Sequence, residues 1–345
     1  MEFREWLHHP SRTFNGMWEV NPENQKIIGL GRGFLQLIHG VIIYLIALHE
    51  QNDFNGNLLQ NMRISRKNVV SGSYWDLEFR INRPPNLSLI KGIVADVQHL
   101  RSMVYLAAKR FSLKDCPALC LFLNQFYGFE ESHFSDDLSS LSYVKKIAYF
   151  NYSHPLFFND VNMAHFIYKV YEVRKRNVSE FNRLIRLNDS IPIANMTGWL
   201  ARIPVKLNMW PCHDMQSPLR QVLYYRQGQH PYAFRNYFNC SNEVVTYLRS
   251  VCEHGRDVNT KESSGRILKE LHQVLPDALS KIHFLLHVKF SDYICRKHFN
   301  ANNIVDLMTN DHFGYKGSFE SIVQITSSWH VKPSFDDKKR KTLLR

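Results

Sequence analysis

The spacing of apolar and polar positions predicts a chain built mainly of helices. The longest apolar run extends from Phe34 to Leu48. It is too short for a membrane span and is interrupted by polar side chains, so we expect a buried core helix. Another helix is predicted from Val161 to Lys175, and only a small hairpin is expected, around residues 60 to 80.

A further amphipathic helix carries the candidate chemistry. Its apolar face holds Val244, Val245, Tyr247, Leu248, Val251 and Cys252. The other side is left to Arg249, Ser250, Glu253 and His254. Gly255 is predicted to end the helix. Arginine can clamp a phosphodiester through its forked donors, and histidine titrates near neutral pH and can transfer the proton of an RNA hydroxyl.

A simpler interpretation of this helix stays open. Arg249 and Glu253 are four residues apart and are therefore also suited to a surface ion pair. A chain with 17 histidines will place one near an arginine by chance. The wider sequence favours the functional interpretation.

Short motifs follow one another in order over residues 153 to 299. They are Ser-His-Pro-Leu-Phe-Phe at 153–158, Trp199, the helix with Arg249 and His254, and the segments at 275–282 and 296–299. In this order they resemble the ribonuclease (KEN) domain of RNase L and of the kinase/endoribonuclease sensor of the unfolded-protein response. The motif at 153–158 resembles the junction at which the family's kinase ends and its nuclease begins, and Trp199 resembles the tryptophan that opens the second half of the nuclease.

The resemblance implies metal-independent RNA cleavage without a cofactor, by attack of a 2′-hydroxyl that leaves a 2′,3′-cyclic phosphate. Arg249 and His254 match the family's catalytic Arg and His. The resemblance implies that Arg249 stabilises the charge on the phosphoryl oxygens and that His254 transfers a proton to the leaving group. Ser250 stands where the family has Asn and offers a shorter hydroxyl. Tyr237 lies near the position of the sensor's catalytic Tyr, as an assisting group. RNA and a second copy, or a full-length relative, are the implied partners.

The N-terminal half resembles a truncated protein-kinase C-lobe. Residues 34–50 resemble the helix before the catalytic loop, and residues 55–61 resemble that loop. Asn57 occupies the place of the catalytic Asp, while Asn61 and Asp76 match the metal-binding positions. An amide cannot act as the base. Before the glycine-rich stretch at 29–33 we place no strand and interpret those glycines as a turn, so the small lobe is missing and kinase activity is not expected.

Together these observations predict a mainly α fold, in which a truncated kinase-like C-lobe is fused to an all-helical KEN-type ribonuclease domain. The expected divisions are an N-terminal extension at 1–27, a degenerate kinase-like C-lobe at 28–152, a KEN-like domain at 153–300 and a C-terminal extension with a basic tail at 301–345. The alternative is a catalytically silent module that dimerises with full-length relatives and regulates them.

Charge and composition agree with an RNA partner without requiring one. The net charge of +12, from 43 basic and 31 acidic residues, favours polyanion binding but also fits a soluble basic protein. Aromatic residues lie between arginines over 220–235, where the rings either stack on RNA bases or pack in the core. No signal peptide and no membrane span are predicted, and the six cysteines are expected to be reduced, so we expect a cytoplasmic protein, with nuclear import as an alternative.

Overall fold

The computed structural model describes the chain in segments. They are residues 1–9, 14–20, 25, 27–69, 72–111, 119, 122–123, 140–176, 178–179, 181, 222, 241–258, 267–268, 271, 275 and 278–283. Over these residues the fold is mainly helical with two small antiparallel sheets, which confirms the predicted mainly α class. Its division into a kinase-like half and a KEN-type half stays a prediction.

The N-terminal segment packs into the same core as the helices that follow it. α1 (Phe3–His8) buries Phe3, Trp6 and Leu7, and α2 (Phe14–Met17) runs directly into β1 (Trp18–Val20). β1 pairs antiparallel with β2 (Ile27–Leu30). The prediction that no strand precedes the glycine-rich stretch is therefore wrong. Strands this short are stabilised by pairing with each other rather than by a visible local period.

Gly31 is required where this sheet meets the next helix. Its amide donates to the Met17 carbonyl at 2.8 Å. A Cβ atom at this position would lie 2.7–2.8 Å from backbone atoms of residues 16–18. The close approach of two backbone segments therefore excludes a side chain here.

α3 (Arg32–Glu50) is the central helix of the first core. Its buried apolar side chains are Phe34, Leu35, Leu37, Ile38, Val41, Ile42, Tyr44, Leu45, Ile46 and Leu48. Among the described residues it is the helix whose length and composition would suffice to cross a membrane, and 67% of its most apolar window is buried inside the protein. Most of α3 thus contacts the protein's own core.

The hairpin predicted near residues 60 to 80 is confirmed. α4 (Leu58–Asn61) leads into β3 (Met62–Val69), which pairs antiparallel with β4 (Gly72–Phe79). The Phe79 ring stacks on Tyr44 of α3 with 3.8 Å between centroids. The hairpin is thereby fixed against the central helix.

The remaining helices continue the chain towards the candidate nuclease half. α5 (Leu89–Arg110) begins at Ser88, whose hydroxyl accepts from the Lys91 amide at 3.3 Å. α6 (Leu141–Tyr152) packs on α5 and α3 and is followed by a 3₁₀ turn at 155–157. α7 (Asp160–Arg176) confirms the helix predicted from 161 to 175, and α8 (Ser241–Val258) packs against it.

The buried apolar residues form two clusters, and the chain passes from one to the other at the predicted junction. The first cluster runs from Phe3 to Phe157, and the second begins at Phe158 and extends to Ile282. Hydrogen bonds link the junction to both sides: the His39 Nε2 atom lies 2.6 Å from the Phe157 carbonyl oxygen, and the Ser153 hydroxyl lies 3.1 Å from Nε2 of His283. The junction is thus a packed segment.

Candidate functional site

α8 is amphipathic as predicted, and its apolar face is buried. The buried apolar side chains are Val244, Val245, Tyr247, Leu248, Val251 and Cys252. The helix extends to Val258, so the prediction that Gly255 ends it is wrong. A single glycine inside a helix costs only about 1 kcal/mol relative to alanine, which is less than the packing of this face supplies.

Three charged or titratable side chains of α8 lie together on its partly exposed edge. Arg249 and Glu253 form a salt bridge, with side-chain exposures of 30% and 25%. The Nε2 atom of His254 lies 3.7 Å from Oε2 of Glu253, and the His254 side chain is 18% exposed. Glu253 therefore stands between the two predicted catalytic groups. The i,i+4 ion pair of the simpler interpretation is present as well.

The helix α7 contributes aromatic side chains to this edge. The Arg249 guanidinium lies over the ring of Tyr171, 5.1 Å from its centroid. Tyr168, one turn earlier on α7, interacts electrostatically with Glu253 and Arg249. Its pKa is raised mainly by burial and to a smaller extent by neighbouring groups that include Glu253. Its phenol is therefore neutral at physiological pH. Neither tyrosine was predicted from the sequence as a site residue, although both lie on one face of a predicted helix.

A second arginine fixes the relative direction of the two helices. Arg174, near the end of α7, donates to the Thr246 hydroxyl and lies 3.9 Å from the Glu243 carboxylate near the start of α8. Tyr171 meets Arg249 further along. Earlier residues of α7 thus contact later residues of α8, which means that the two helices are antiparallel.

Ser250 lies on the buried side of α8, and the prediction that it faces the polar side is wrong. It is 2% exposed, and its hydroxyl donates to the Thr246 carbonyl at 3.0 Å. A serine can satisfy its hydroxyl within its own helix by bonding the carbonyl four residues earlier, so it does not mark an exposed face.

Other predicted positions lie outside the described residues. These are Tyr237, Trp199, the tyrosine and arginine mixture at 220–235, the segment at 296–299 and the basic tail. Of the six cysteines, Cys252 is described: its thiol is reduced and buried, and burial raises its pKa. It is a packing residue of the α8 face.

The loop at 55–61, for which a resemblance to a kinase catalytic loop is predicted, is held by an amide network. Asn55 donates through Nδ2 to the Tyr44 hydroxyl at 2.9 Å, and its Oδ1 accepts from Nδ2 of Asn61 at 2.9 Å. Asn57, predicted to stand in the place of a catalytic base, directly precedes α4, and its Nδ2 donates to Oε1 of Gln60 at 2.5 Å. Asn61 is buried. These amides therefore organise the loop itself.

Asp96 of α5 anchors this loop through hydrogen bonds from two of its backbone amides. Its Oδ2 accepts from the Asn55 amide at 2.8 Å and its Oδ1 from the Gly56 amide at 2.7 Å. Nε2 of His49 lies 3.2 Å from Oδ2, and its Nδ1 lies 3.4 Å from the Tyr152 hydroxyl. A proton on Nε2 satisfies both contacts, because Nδ1 then accepts from the tyrosine. Asp96 and His49 are fully buried.

The two predicted metal positions are separated along the hairpin. The Arg80 amide donates to the Asn61 carbonyl, whereas Asp76 pairs with Ser65 four residues further along β4. At about 3.3 Å per residue this places them roughly 13 Å apart, too far to share one ion. Within the described part of the chain, no three His, Cys, Asp or Glu side chains are grouped to hold a metal.

Comparison of the chain with protein-family models, with curated proteins and with solved structures finds no match.

Proposed function

We propose that this protein is a metal-independent RNA endonuclease of the KEN type, with a kinase-like half that is catalytically inactive. The observation that carries the proposal is the grouping of Arg249, Glu253 and His254 on one partly exposed edge of α8. A guanidinium and an imidazole five residues apart on one helix, each close to the Glu253 carboxylate, supply the charge and the proton that phosphodiester cleavage requires.

In the proposed reaction the ribose 2′-oxygen attacks the adjacent phosphorus, and the bond from phosphorus to the 5′-oxygen breaks. Arg249 stabilises the charge on the non-bridging oxygens, and His254 gives a proton to the leaving 5′-oxygen. Tyr237 assists as a hydrogen-bonding or proton-accepting partner, so the proton of the 2′-hydroxyl passes either to Tyr237 or to solvent. The product is a 2′,3′-cyclic phosphate, and no metal or cofactor enters the reaction.

The N-terminal half supports the resemblance from a second direction. Asp96 accepts hydrogen bonds from the amides of Asn55 and Gly56 in the loop that resembles the kinase catalytic loop, and it lies beside His49. The loop offers an amide at Asn57 where a kinase needs a carboxylate base. This half is therefore proposed as a scaffold and dimerisation partner.

The test is cleavage of a single-stranded RNA hairpin loop in the presence of a chelator, at high protein concentration because the family acts in pairs. His254→Ala should reduce cleavage by at least about 100-fold, the usual contribution of a proton-transfer group. His8→Ala is the matched control, since His8 is exposed at the end of α1. Cleavage that persists in His254→Ala would refute the assignment.

The second candidate is a silent module that binds and regulates full-length relatives. The burial of Ser250 favours it, because a hydroxyl bonded to the Thr246 carbonyl offers no donor to a substrate where the family has an amide. The chain would then inhibit a full-length relative in a stoichiometric complex and show no cleavage of its own. Mass measurement of the mixture, together with its cleavage rate, distinguishes the two candidates.

A further inference from the structure

The exposed ring of Tyr168 stands out among the side chains around the α8 cluster. It is 40% exposed, whereas Tyr171 is only partly accessible and lies beneath the Arg249 guanidinium. The helices α7 and α8 are antiparallel, and Tyr171 lies opposite Arg249. Tyr168, one turn before Tyr171, therefore lies near Glu253, one turn after Arg249. The exposed face of Tyr168 therefore lies beside Glu253 and Arg249, with which Tyr168 interacts electrostatically.

A single exposed aromatic ring is common on protein surfaces and needs no explanation by itself. Here the ring lies beside a cation and a carboxylate: the antiparallel pairing of α7 and α8 brings it next to Arg249 and Glu253, and it interacts electrostatically with both. A flat uncharged surface beside a phosphate-binding arginine is the arrangement that single-stranded nucleic acids require: phosphate on the cation and base on the ring.

We propose that Tyr168 is the base platform of this site, on which a nucleobase of single-stranded RNA stacks while the neighbouring phosphate contacts Arg249. The inference rests on the proposed function and specifies its substrate: an unpaired strand, because bases within a duplex do not present their faces. It makes Tyr168 a substrate-positioning residue that acts through its ring and not through its hydroxyl.

Binding is measured by fluorescence anisotropy with a labelled 2′-O-methyl oligouridylate of about ten nucleotides, which spans such a site and cannot be cleaved by 2′-hydroxyl attack. Tyr168→Ala should weaken binding about tenfold, within the range found for one base stacked on an aromatic ring. Tyr168→Phe should bind within about twofold of the wild type, because the ring is retained. Tyr105→Ala is the control, since Tyr105 is 52% exposed on α5, outside the α7 and α8 pair.

A strand of the same backbone with abasic positions gives the decisive comparison. Wild type and Tyr168→Ala should bind the abasic strand equally, because no base remains to stack. Equal binding of the uridylate by both proteins would overturn the inference, as would a Tyr168→Phe variant as weak as the alanine variant. A fall in oligomer mass in Tyr168→Ala without any loss of RNA binding would assign the ring to a protein interface and overturn it as well.

The cleavage assay separates this inference from the proposed function. Cleavage that depends on His254 with binding independent of Tyr168 would refute the base platform alone. Binding that depends on Tyr168 and on the base, with no cleavage, would support the platform and refute the nuclease. A wild-type protein that binds none of these strands would overturn both.

Discussion

Replacement of Asp96 by alanine should destabilise the first core by about 4 kcal/mol. The side chain is fully buried and accepts the amides of Asn55 and Gly56 and the Nε2 atom of His49. Removal of one partner of a buried pair costs about 3–5 kcal/mol, and each stranded buried donor costs about 1–3 kcal/mol. These penalties overlap because the donors can relax together, so we take the middle of the first range.

Two further variants define the cause. Asp96→Asn retains one acceptor oxygen but turns an amide nitrogen towards a donor, so we expect a loss of about half as much, roughly 2 kcal/mol. Glu78→Gln is the matched control, because that carboxylate is 54% exposed and lies 3.8 Å from Arg80. Its effect should stay within about 0.5 kcal/mol.

The assay is urea unfolding followed by far-ultraviolet circular dichroism, with hydrogen exchange at the amides of Asn55 and Gly56. In Asp96→Ala both amides should lose protection before the helices unfold, since their acceptor is gone. An unfolding free energy within 1 kcal/mol of the wild type, or unchanged protection of the two amides, would show that Asp96 does not anchor the loop.

Four other predictions follow from particular contacts. Gly31→Ala should lower the free energy of unfolding in urea by more than about 2 kcal/mol, because the new Cβ atom would meet rigid backbone. Gly40→Ala is the control and should cost less, because its Cβ atom would meet only the movable end of a leucine side chain. Equal losses in the two variants would contradict this prediction. Glu253→Gln should tighten RNA binding by roughly two- to fivefold at low salt, since it releases the neighbouring arginine, and an unchanged affinity would refute the competition. Burial lowers the pKa of His99 below its ordinary 6.5, so the unfolded state takes up the proton first as the pH falls. The free energy of unfolding should therefore decrease as the pH drops below about 6.5. His99→Gln should reduce this dependence of stability on pH, and an unaltered dependence would exclude His99 as its source. No ATP-dependent autophosphorylation is expected with magnesium, and radiolabel transfer that is lost in Asp76→Ala would show that the kinase-like half has been misinterpreted.

Elements with a long and regular apolar period could be predicted from the sequence. The apolar face of α8, the extent of α7 and the central helix α3 all follow from spacing over several turns, in which each added turn reinforces the same face. The β3–β4 hairpin follows for the same reason at a period of two. In these elements the local pattern and the tertiary packing favour the same structure.

The wrong predictions concern residues whose hydrogen bonds are satisfied within their own helix, a glycine that packing holds in a helix, and short strands that depend on pairing with each other. Ser250 is buried because its hydroxyl bonds to its own helix, and Gly255 stays helical because packing outweighs its propensity. The short strands β1 and β2 depend on each other, and neither has a period long enough to detect. Local polarity is therefore a poor guide to exposure at such positions.

The candidate site shows the same division. Arg249, Glu253 and His254 are close in sequence and could be grouped from helical spacing alone. Tyr168 and Tyr171 join them only because α7 and α8 pack antiparallel, a contact across about 80 residues of chain whose direction is visible in the bonds of Arg174. No spacing rule within one helix predicts it.

If the N-terminal half is a kinase-like scaffold, as proposed, the buried loop network gives a physical reason for its persistence without kinase chemistry. Catalysis requires a carboxylate base at the tip of the loop, where Asn57 now bonds to its neighbour Gln60 and contributes only locally. The anchor has a different role: Asp96 satisfies buried donors from two loop amides and one imidazole, so its loss would strand all three. A change at the tip therefore costs little folding energy, whereas a change at the anchor endangers the core that supports α6 and the junction to the candidate nuclease half.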